Sequence, residues 1–218
     1  MKKLLPLAVA VTGAVFVLAA CGSDGGSDDP DDIKGADSPT SSPSSSGPSG
    51  TGRPDADRPG HPKVLLPSGL SVTFEGFVTG DKARDAVLAD SAARVRAMTA
   101  AKAEGTAESD AVTFYTHPMA EAGARKALKY YADKGYSLTG EFRYFAPQVT
   151  LSGESAELTY CGDESKGFGK VRKSGKILKT PVSDDSYVGY TARLRKNADG
   201  VWQTADISTD RGAAQCRP

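Results

Sequence analysis

The spacing of apolar residues changes at Tyr136, and this change limits the folds open to the chain more than any other feature. Before it, apolar residues recur every three or four positions at 81–105 and 116–135, which is typical of helices with one buried side. After it, apolar and polar residues alternate, which is typical of strands with one buried face. Helices that precede a run of strands predict an α+β fold, with N-terminal helices packed on an antiparallel sheet.

The ends of both predicted helices carry recognisable signals. Asp81 can cap the first helix and Gly105 can end it. Thr116 can cap the second, which has Pro118 in its first turn and Gly135 at its end. The residues predicted to face the core are Val87, Leu88, Ala92, Val95 and Met98 in the first helix, and Ala120, Ala124, Ala127, Leu128 and Tyr131 in the second.

The strands are predicted from alternating apolar residues. The segments are 70–78, 138–146, 148–152, 155–161, 186–196 and 201–208, and Ala146 is among the residues expected to face the core. The sequence KNADG at 196–200 predicts a tight hairpin between the last two strands, because Gly200 can adopt a positive φ. These two strands are therefore predicted to be antiparallel neighbours.

The first 20 residues have the pattern of an export signal. Lys2 and Lys3 precede an uncharged run from Leu4 to Leu18, and small residues follow. A membrane-spanning helix needs about 20 apolar residues, so this run is too short to cross a bilayer. We predict a signal peptide at 1–20, with a buried core helix as the alternative.

The sequence LAAC at 18–21 resembles the bacterial lipobox. This resemblance implies that Cys21 receives a diacylglycerol thioether before the signal is removed. Two acyl chains hold a protein durably on a membrane, whereas one chain binds only marginally. We expect a lipid-anchored protein on the extracytoplasmic face of the cell membrane; the alternative is an ordinary signal with an incidental cysteine.

The segment from 22 to 62 is rich in Gly, Ser and Pro, and its apolar side chains are limited to Ile33, Ala36 and Ala56. Ordering such a segment costs backbone entropy with almost no burial to offset it. We predict a disordered tether at 21–62 and one folded domain at 63–218. That domain is long enough to fold alone.

Charge and residue counts exclude several classes of function. Lys plus Arg and Asp plus Glu both number 27, so the chain has no net field for nucleic acid. His61 falls in the predicted tether, which leaves His117 as the single histidine of the predicted domain and argues against a multi-histidine zinc site. We predict no metal and no cofactor.

Three stretches, YCGDES at 160–165, DGVWQTADIS at 199–208 and the terminal Cys216, resemble actinobacterial lipoproteins with a nuclear transport factor 2-like cone. The resemblance covers about 80–218 and implies a sheet curved around a helix, with an apolar cavity open at one end. Catalytic cones use an Asp or His base beside a Tyr or Asp donor, and the candidates here are His117, Tyr115, Asp163 and several strand tyrosines. His117 also fits a helix cap.

No acid/base pair is recognisable from the spacing of these candidates. We therefore predict a non-catalytic module that binds a cell-envelope component, a protein or a small apolar ligand. The alternative is a cone-fold enzyme of the isomerase or dehydratase type with an acid/base group in its pocket.

Six cations lie between Lys166 and Lys179, interleaved with Phe168, Val171 and Ile177. They could bind an anionic envelope polymer or lipid headgroup. The favoured interpretation is a solvated hairpin or edge strand, whose lysines discourage pairing between sheets.

Two cysteines remain once Cys21 is assigned to lipid. Because an exported domain with an even number of cysteines is normally oxidised, we predict a disulfide between Cys161 and Cys216. Two separate buried thiols are the alternative.

Overall fold

The computed structural model describes residues 58–218. The predicted signal peptide at 1–20, the lipidation site Cys21 and most of the predicted tether lie outside these residues. Within 58–218, no helix combines the length and apolar character needed to cross a bilayer. The elements of this part of the chain are helices α1 (Lys82–Glu104), α2 (Asp110–Phe114) and α3 (Pro118–Lys134) and strands β1 (Leu70–Phe74), β2 (Tyr136–Ser152), β3 (Ser155–Val171), β4 (Ile177–Leu178), β5 (Tyr187–Lys196) and β6 (Trp202–Arg211).

The strands form one mixed sheet in the order β1-β2-β3-β5-β6, and the short β4 pairs with β3. β1 runs parallel to β2 at one edge, whereas the other pairings described are antiparallel. The predicted hairpin between β5 and β6 is present, and Gly200 has a φ of 84°. The predicted α+β class, with N-terminal helices packed on a curved and largely antiparallel sheet, is confirmed.

The segments predicted as two strands at 138–146 and 148–152 are a single strand, β2. Its register against β3 shifts between Phe145 and Gln148, and Ala146 has a positive φ of 52°. A bulge of this kind bends a strand without ending it. Ala146 is consequently exposed, so the prediction that it faces the core is wrong.

Helix α1 lies in the centre of the domain. Asp81 caps it as predicted, accepting hydrogen bonds from the backbone N–H groups of Ala83 and Arg84, and Gly105 ends it with a φ of 68°. The helix is buried on most sides from Val87 to Ala103 rather than along one stripe. Its apolar side chains pack on sheet residues that include Leu158, Leu194 and Trp202.

Helix α3 begins at a different cap from the one predicted. His117 is the N-cap residue, and its Nδ1 atom accepts a hydrogen bond from the Met119 N–H at 3.3 Å. Thr116 is instead buried beside α1, so its prediction as the cap is wrong. Gly135 ends the helix as predicted. The short α2 was not predicted, although Ser109 caps it through the Val112 N–H.

Strand β3 is longer than predicted and continues into the basic stretch. Its first half carries the buried Ala156, Leu158 and Tyr160, as expected. Its second half pairs with β2 and with β4, so the cations between Lys166 and Lys179 lie on a hairpin. All but Lys170 are exposed, which agrees with the solvated hairpin.

Cys161 and Cys216 form a disulfide, as predicted, with 5.4 Å between their Cα atoms. Cys161 lies within β3 rather than at its end, and Cys216 lies in a short 3-10 turn after β6. Both are buried beside Ala213. The bond therefore attaches the C-terminal turn to the middle of the sheet.

The last residues of the predicted tether contact the domain. Arg58 donates a hydrogen bond to Asp90 at 2.5 Å, and His61 Nδ1 lies 3.2 Å from the hydroxyl of Tyr115. Burial, with a smaller effect of the Arg58 charge, lowers the pKa of His61, which favours its neutral form. The packed part of the chain thus reaches upstream of residue 63, and His61 belongs with it.

Candidate functional site

A cavity of about 410 Å³ lies between α1, α3 and the inner face of the sheet. Helix α1 contributes Val95, Met98 and Thr99, which lie on one stripe together with two cations described below. Small residues on α3 form the opposite wall, and they are Ala120, Gly123, Ala124 and Ala127. Gly123 is exposed, and a Cβ atom built on it would meet no atom within 4 Å, so this part of the wall is open.

Three tyrosines from adjacent strands form the aromatic wall of the cavity: Tyr144 on β2, Tyr160 on β3 and Tyr190 on β5. Tyr160 and Tyr190 are cross-strand partners, and their rings are stacked with centroids 4.7 Å apart. The Tyr144 ring lies 5.9 Å from each of them in an edge-on arrangement. Aromatic pairs in these geometries stabilise one another beyond their burial.

Gly162 allows these rings to pack closely over the sheet. A Cβ atom at this position would lie 2.9 Å from Cε2 of Tyr190 and 3.2 Å from Cε1 of Tyr144. Real Cβ atoms do not tolerate the shorter distance, so a larger residue would displace Tyr190. Gly162, which belongs to the YCGDES stretch, is therefore part of the architecture of the cavity.

Burial raises the pKa values of all three tyrosines well above the ordinary value, because the charged phenolate would be desolvated. At neutral pH they are neutral phenols. They can donate hydrogen bonds, but they cannot act as bases. The hydroxyl of Tyr190 donates to Glu164 Oε1 at 2.9 Å.

Two cations of α1 also line the cavity, Arg94 and Lys102. Arg94 is 6% exposed, and its Nε donates to Thr116 Oγ1 at 3.2 Å. Within residues 58–218, Nε makes the only hydrogen bond described for Arg94, and the terminal nitrogens Nη1 and Nη2 are not among the buried atoms that lack a partner, so they remain accessible to solvent or a ligand. Burial lowers the pKa of Arg94, because the charged guanidinium is desolvated.

Lys102 lies two turns further along the same face of α1. Its Nζ atom is 5.3 Å from the centroid of the Tyr131 ring. Burial lowers the pKa of Lys102, and the negative charge of Glu164 acts in the opposite direction. Lys102 is therefore partly compensated, whereas Arg94 is not.

The carboxylates at the cavity have partners of their own. Asp206 lines the cavity and pairs with Arg193 at 2.6 Å. Glu164 accepts from Tyr190 on one oxygen and from Arg211 on the other, at 3.0 Å. Within residues 58–218, no group of three or more His, Cys, Asp or Glu side chains has the arrangement of a metal site.

Of the catalytic candidates proposed from sequence, the strand tyrosines Tyr144, Tyr160 and Tyr190 line this cavity, whereas the other three do not. His117 caps α3, and Tyr115 is buried beside His61. Asp163 pairs with Arg143 at 3.3 Å and accepts from the Ser165 N–H at 3.0 Å. Burial alone would raise the pKa of Asp163, but these hydrogen bonds outweigh it and lower the pKa. An ionised, paired Asp163 has a structural role.

Sequence reasoning missed Arg94 and Lys102, although a signal for them exists. They lie four residues before and four residues after Met98, which was predicted to face the core. Residues four apart on a helix lie close to one face, so the spacing places both cations next to Met98. A charged residue on a buried helix face is unusual and marks a candidate site.

No protein-family model matches the chain, and no curated protein matches it. Among solved structures, it is similar to a ketosteroid isomerase-like protein from Erwinia carotovora atroseptica, with 16% identity and a TM-score of 0.43 over 60% of this chain and 97% of that one. It is similar to a nuclear transport factor 2-like family protein from Streptomyces avermitilis, with 14% identity and a TM-score of 0.35 over 54% and 90%. It is also similar to a de novo designed β-sheet protein, with 15% identity and a TM-score of 0.31 over 60% and 92%. At these identities and scores, the comparisons concern the fold and carry no information on activity.

Proposed function

We propose that the protein is a lipid-anchored extracytoplasmic module that binds a small apolar ligand in the cavity between α1, α3 and the sheet. The observation that carries this proposal is the cavity itself. Its volume of about 410 Å³ is in the range of small-molecule sites, which are concave, mostly apolar and furnished with a few polar groups. The tyrosines, alanines and Met98 supply the apolar surface, and Arg94 and Lys102 supply the polar groups.

Replacing Ala127 by Phe is expected to abolish binding of apolar probes. Ala127 lines the cavity and is half-buried, so a phenyl ring at this position occupies the space that a ligand needs. Isothermal titration with 2-naphthamide, a neutral apolar probe, measures the loss. We expect the affinity to fall by at least about tenfold, the effect of losing roughly 1.4 kcal/mol.

Ala122→Phe is the matched control, because Ala122 is exposed on α3 and does not line the cavity. This variant should bind the probe like the wild type. Equal binding by Ala127→Phe and the wild type would show that the probe binds elsewhere and would contradict the proposal.

An enzyme of the cone fold remains the second candidate, and one contact favours it. Glu164 accepts a hydrogen bond from Tyr190, a residue of the cavity wall. A general base must be free to take a proton from the substrate. Because Arg211 occupies the other oxygen of Glu164, we favour ligand binding over catalysis.

The proposed membrane attachment rests on the sequence at 18–21. The wild-type protein is expected to incorporate labelled palmitate, partition into detergent and begin at Cys21 after processing. Cys21→Ser should abolish all three properties, because the thiol is the atom that receives the lipid. Recovery of the wild-type protein from the culture medium with a different N-terminus would overturn the proposed anchor.

A further inference from the structure

The charge inside the cavity indicates which chemical class of ligand binds there. This inference rests on the proposed function. Arg94 is 6% exposed and lines the cavity, yet its only hydrogen bond within residues 58–218 is from Nε to Thr116. Its two terminal nitrogens carry four N–H donors. No acceptor for them is described in this part of the protein, and they are not buried atoms, so they are available to a ligand.

A buried cation of this kind is costly to the folded protein. Removing a guanidinium from water is compensated only when an anion or several acceptors take over its hydration. The carboxylates nearest the cavity do not do so, because Asp206 pairs with Arg193 and Glu164 pairs with Arg211 and Tyr190. An incoming anion would supply the missing compensation.

The terminal nitrogens of Arg94 indicate which anion fits the site. Thr116, which is 1% exposed, holds Nε and fixes the plane of the guanidinium. Nη1 and Nη2 remain as a planar fork, which matches the two oxygens of one carboxylate. A single fork balances a single negative charge. A phosphate monoester brings more charge and favours additional cations.

The second cation of the cavity lies too far away to share this head group. Lys102 is eight residues from Arg94, which places it about 12 Å further along the helix axis. Met98 and Thr99 lie between them, opposite the tyrosine wall and the small residues of α3. The space between the cations is therefore suited to the apolar body of a ligand rather than to its charge.

We propose that the cavity binds small apolar monocarboxylates, and that Arg94 binds the carboxylate through Nη1 and Nη2 while the tyrosine wall and α3 contact the apolar body. Thr116 is a positioning residue in this arrangement. The inference goes beyond apolar binding, because it requires a strong preference for the acid over a neutral analogue of the same shape.

The test is isothermal titration of the purified full-length chain with two matched pairs of probes: 2-naphthoate with 2-naphthamide, and octanoate with octanamide. A charged hydrogen-bonded pair contributes about 1.5 to 3 kcal/mol, so each acid should bind roughly 10- to 100-fold more tightly than its amide. In Arg94→Met this preference should disappear, so that each acid binds no more tightly than its amide. Arg94→Lys, which keeps the charge but not the fork, should show an intermediate preference.

Arg84→Met is the control variant, because Arg84 is exposed in the first turn of the same helix and does not line the cavity. It should retain the full preference for acids. Equal binding of acid and amide by the wild type, or a preference that persists in Arg94→Met, overturns the assignment while leaving apolar binding intact. Binding of none of the four probes overturns this inference and the proposed function together. Tighter binding of octyl phosphate than of octanoate overturns the choice of a carboxylate.

Discussion

Replacing Cys161 and Cys216 together by alanine is expected to lower the free energy of unfolding by about 4 kcal/mol. The disulfide joins residues that are 55 positions apart, so it removes a large loop-closure entropy from the unfolded chain. It also attaches the C-terminal turn to β3 beside Ala213. A typical domain has a total stability of about 5 to 15 kcal/mol, so this loss is a large fraction of it. Urea unfolding of oxidised wild type and double variant measures the difference.

Wild-type protein reduced under mild conditions is the control for this experiment, because it lacks the bond but keeps both side chains. It should unfold close to the double variant. If the reduced protein is as stable as the oxidised one, the bond does not constrain the unfolded chain as the loop-closure argument requires. Two free thiols in native wild-type protein would contradict the disulfide itself.

The disulfide shows which kind of inference the sequence supports. The even number of cysteines in a domain predicted to be exported was enough to predict the pair Cys161 and Cys216, without any knowledge of geometry. The position of Cys161 within its strand was not predictable in the same way. After Tyr160 the chain reads CGDESKGFGK, in which apolar alternation stops, yet the strand continues to Val171.

The second half of β3 is held in the sheet by pairing with its neighbouring strands rather than by burial of its own side chains. The β2–β3 hairpin keeps its ladder from Ser152 and Ser155 to Tyr136 and Val171. Backbone hydrogen bonds to β2, and to β4 on the other side, support residues that bury little apolar surface. Periodicity detects burial, so it misses a strand that is held mainly by its ladder.

The candidate site shows a second limit of apolar periodicity, which does not detect charged residues that are buried. The spacing of three to four residues predicted α1 correctly, and Val95 and Met98, which it placed on the core side, are partly buried. The same rule makes Arg94 and Lys102 neighbours of that stripe, but solvent exposure is the usual expectation for cations. Only the wrapping of the sheet around α1 shows that Arg94 is buried. Of the catalytic candidates chosen by residue type, the strand tyrosines lie at the cavity, but His117 is a helix cap and Asp163 forms an ion pair.

Replacing Asp90 by Ala is expected to lower the free energy of unfolding by about 3 to 5 kcal/mol, the usual cost of breaking a buried ion pair. Asp90 is 2% exposed in the middle of α1. One of its oxygens accepts from Arg58 at 2.5 Å, and the other accepts from the Trp202 backbone N–H at 2.8 Å. Asp90 therefore connects the central helix to both the N-terminal segment and the first residue of β6.

The cost arises from the partners that the substitution leaves behind. The Trp202 N–H would be buried without an acceptor, and Arg58, whose side chain is 29% exposed, would keep only partial hydration. Asp133→Ala is the matched control, because Asp133 forms an exposed pair with Lys129 on α3, and exposed pairs contribute little. Chemical denaturation of both variants measures the contrast.

Asp90→Asn separates the two contacts of this carboxylate. An amide oxygen can still accept from the Trp202 N–H, but the amide carries no charge for Arg58. We therefore expect Asp90→Asn to be destabilised less than Asp90→Ala, with the remaining loss assigned to the Arg58 contact. If Asp90→Ala unfolds with the same midpoint and slope as the Asp133→Ala control, Asp90 does not link α1 to β6 energetically. The N-terminal segment from Arg58 would then contact the domain without stabilising it.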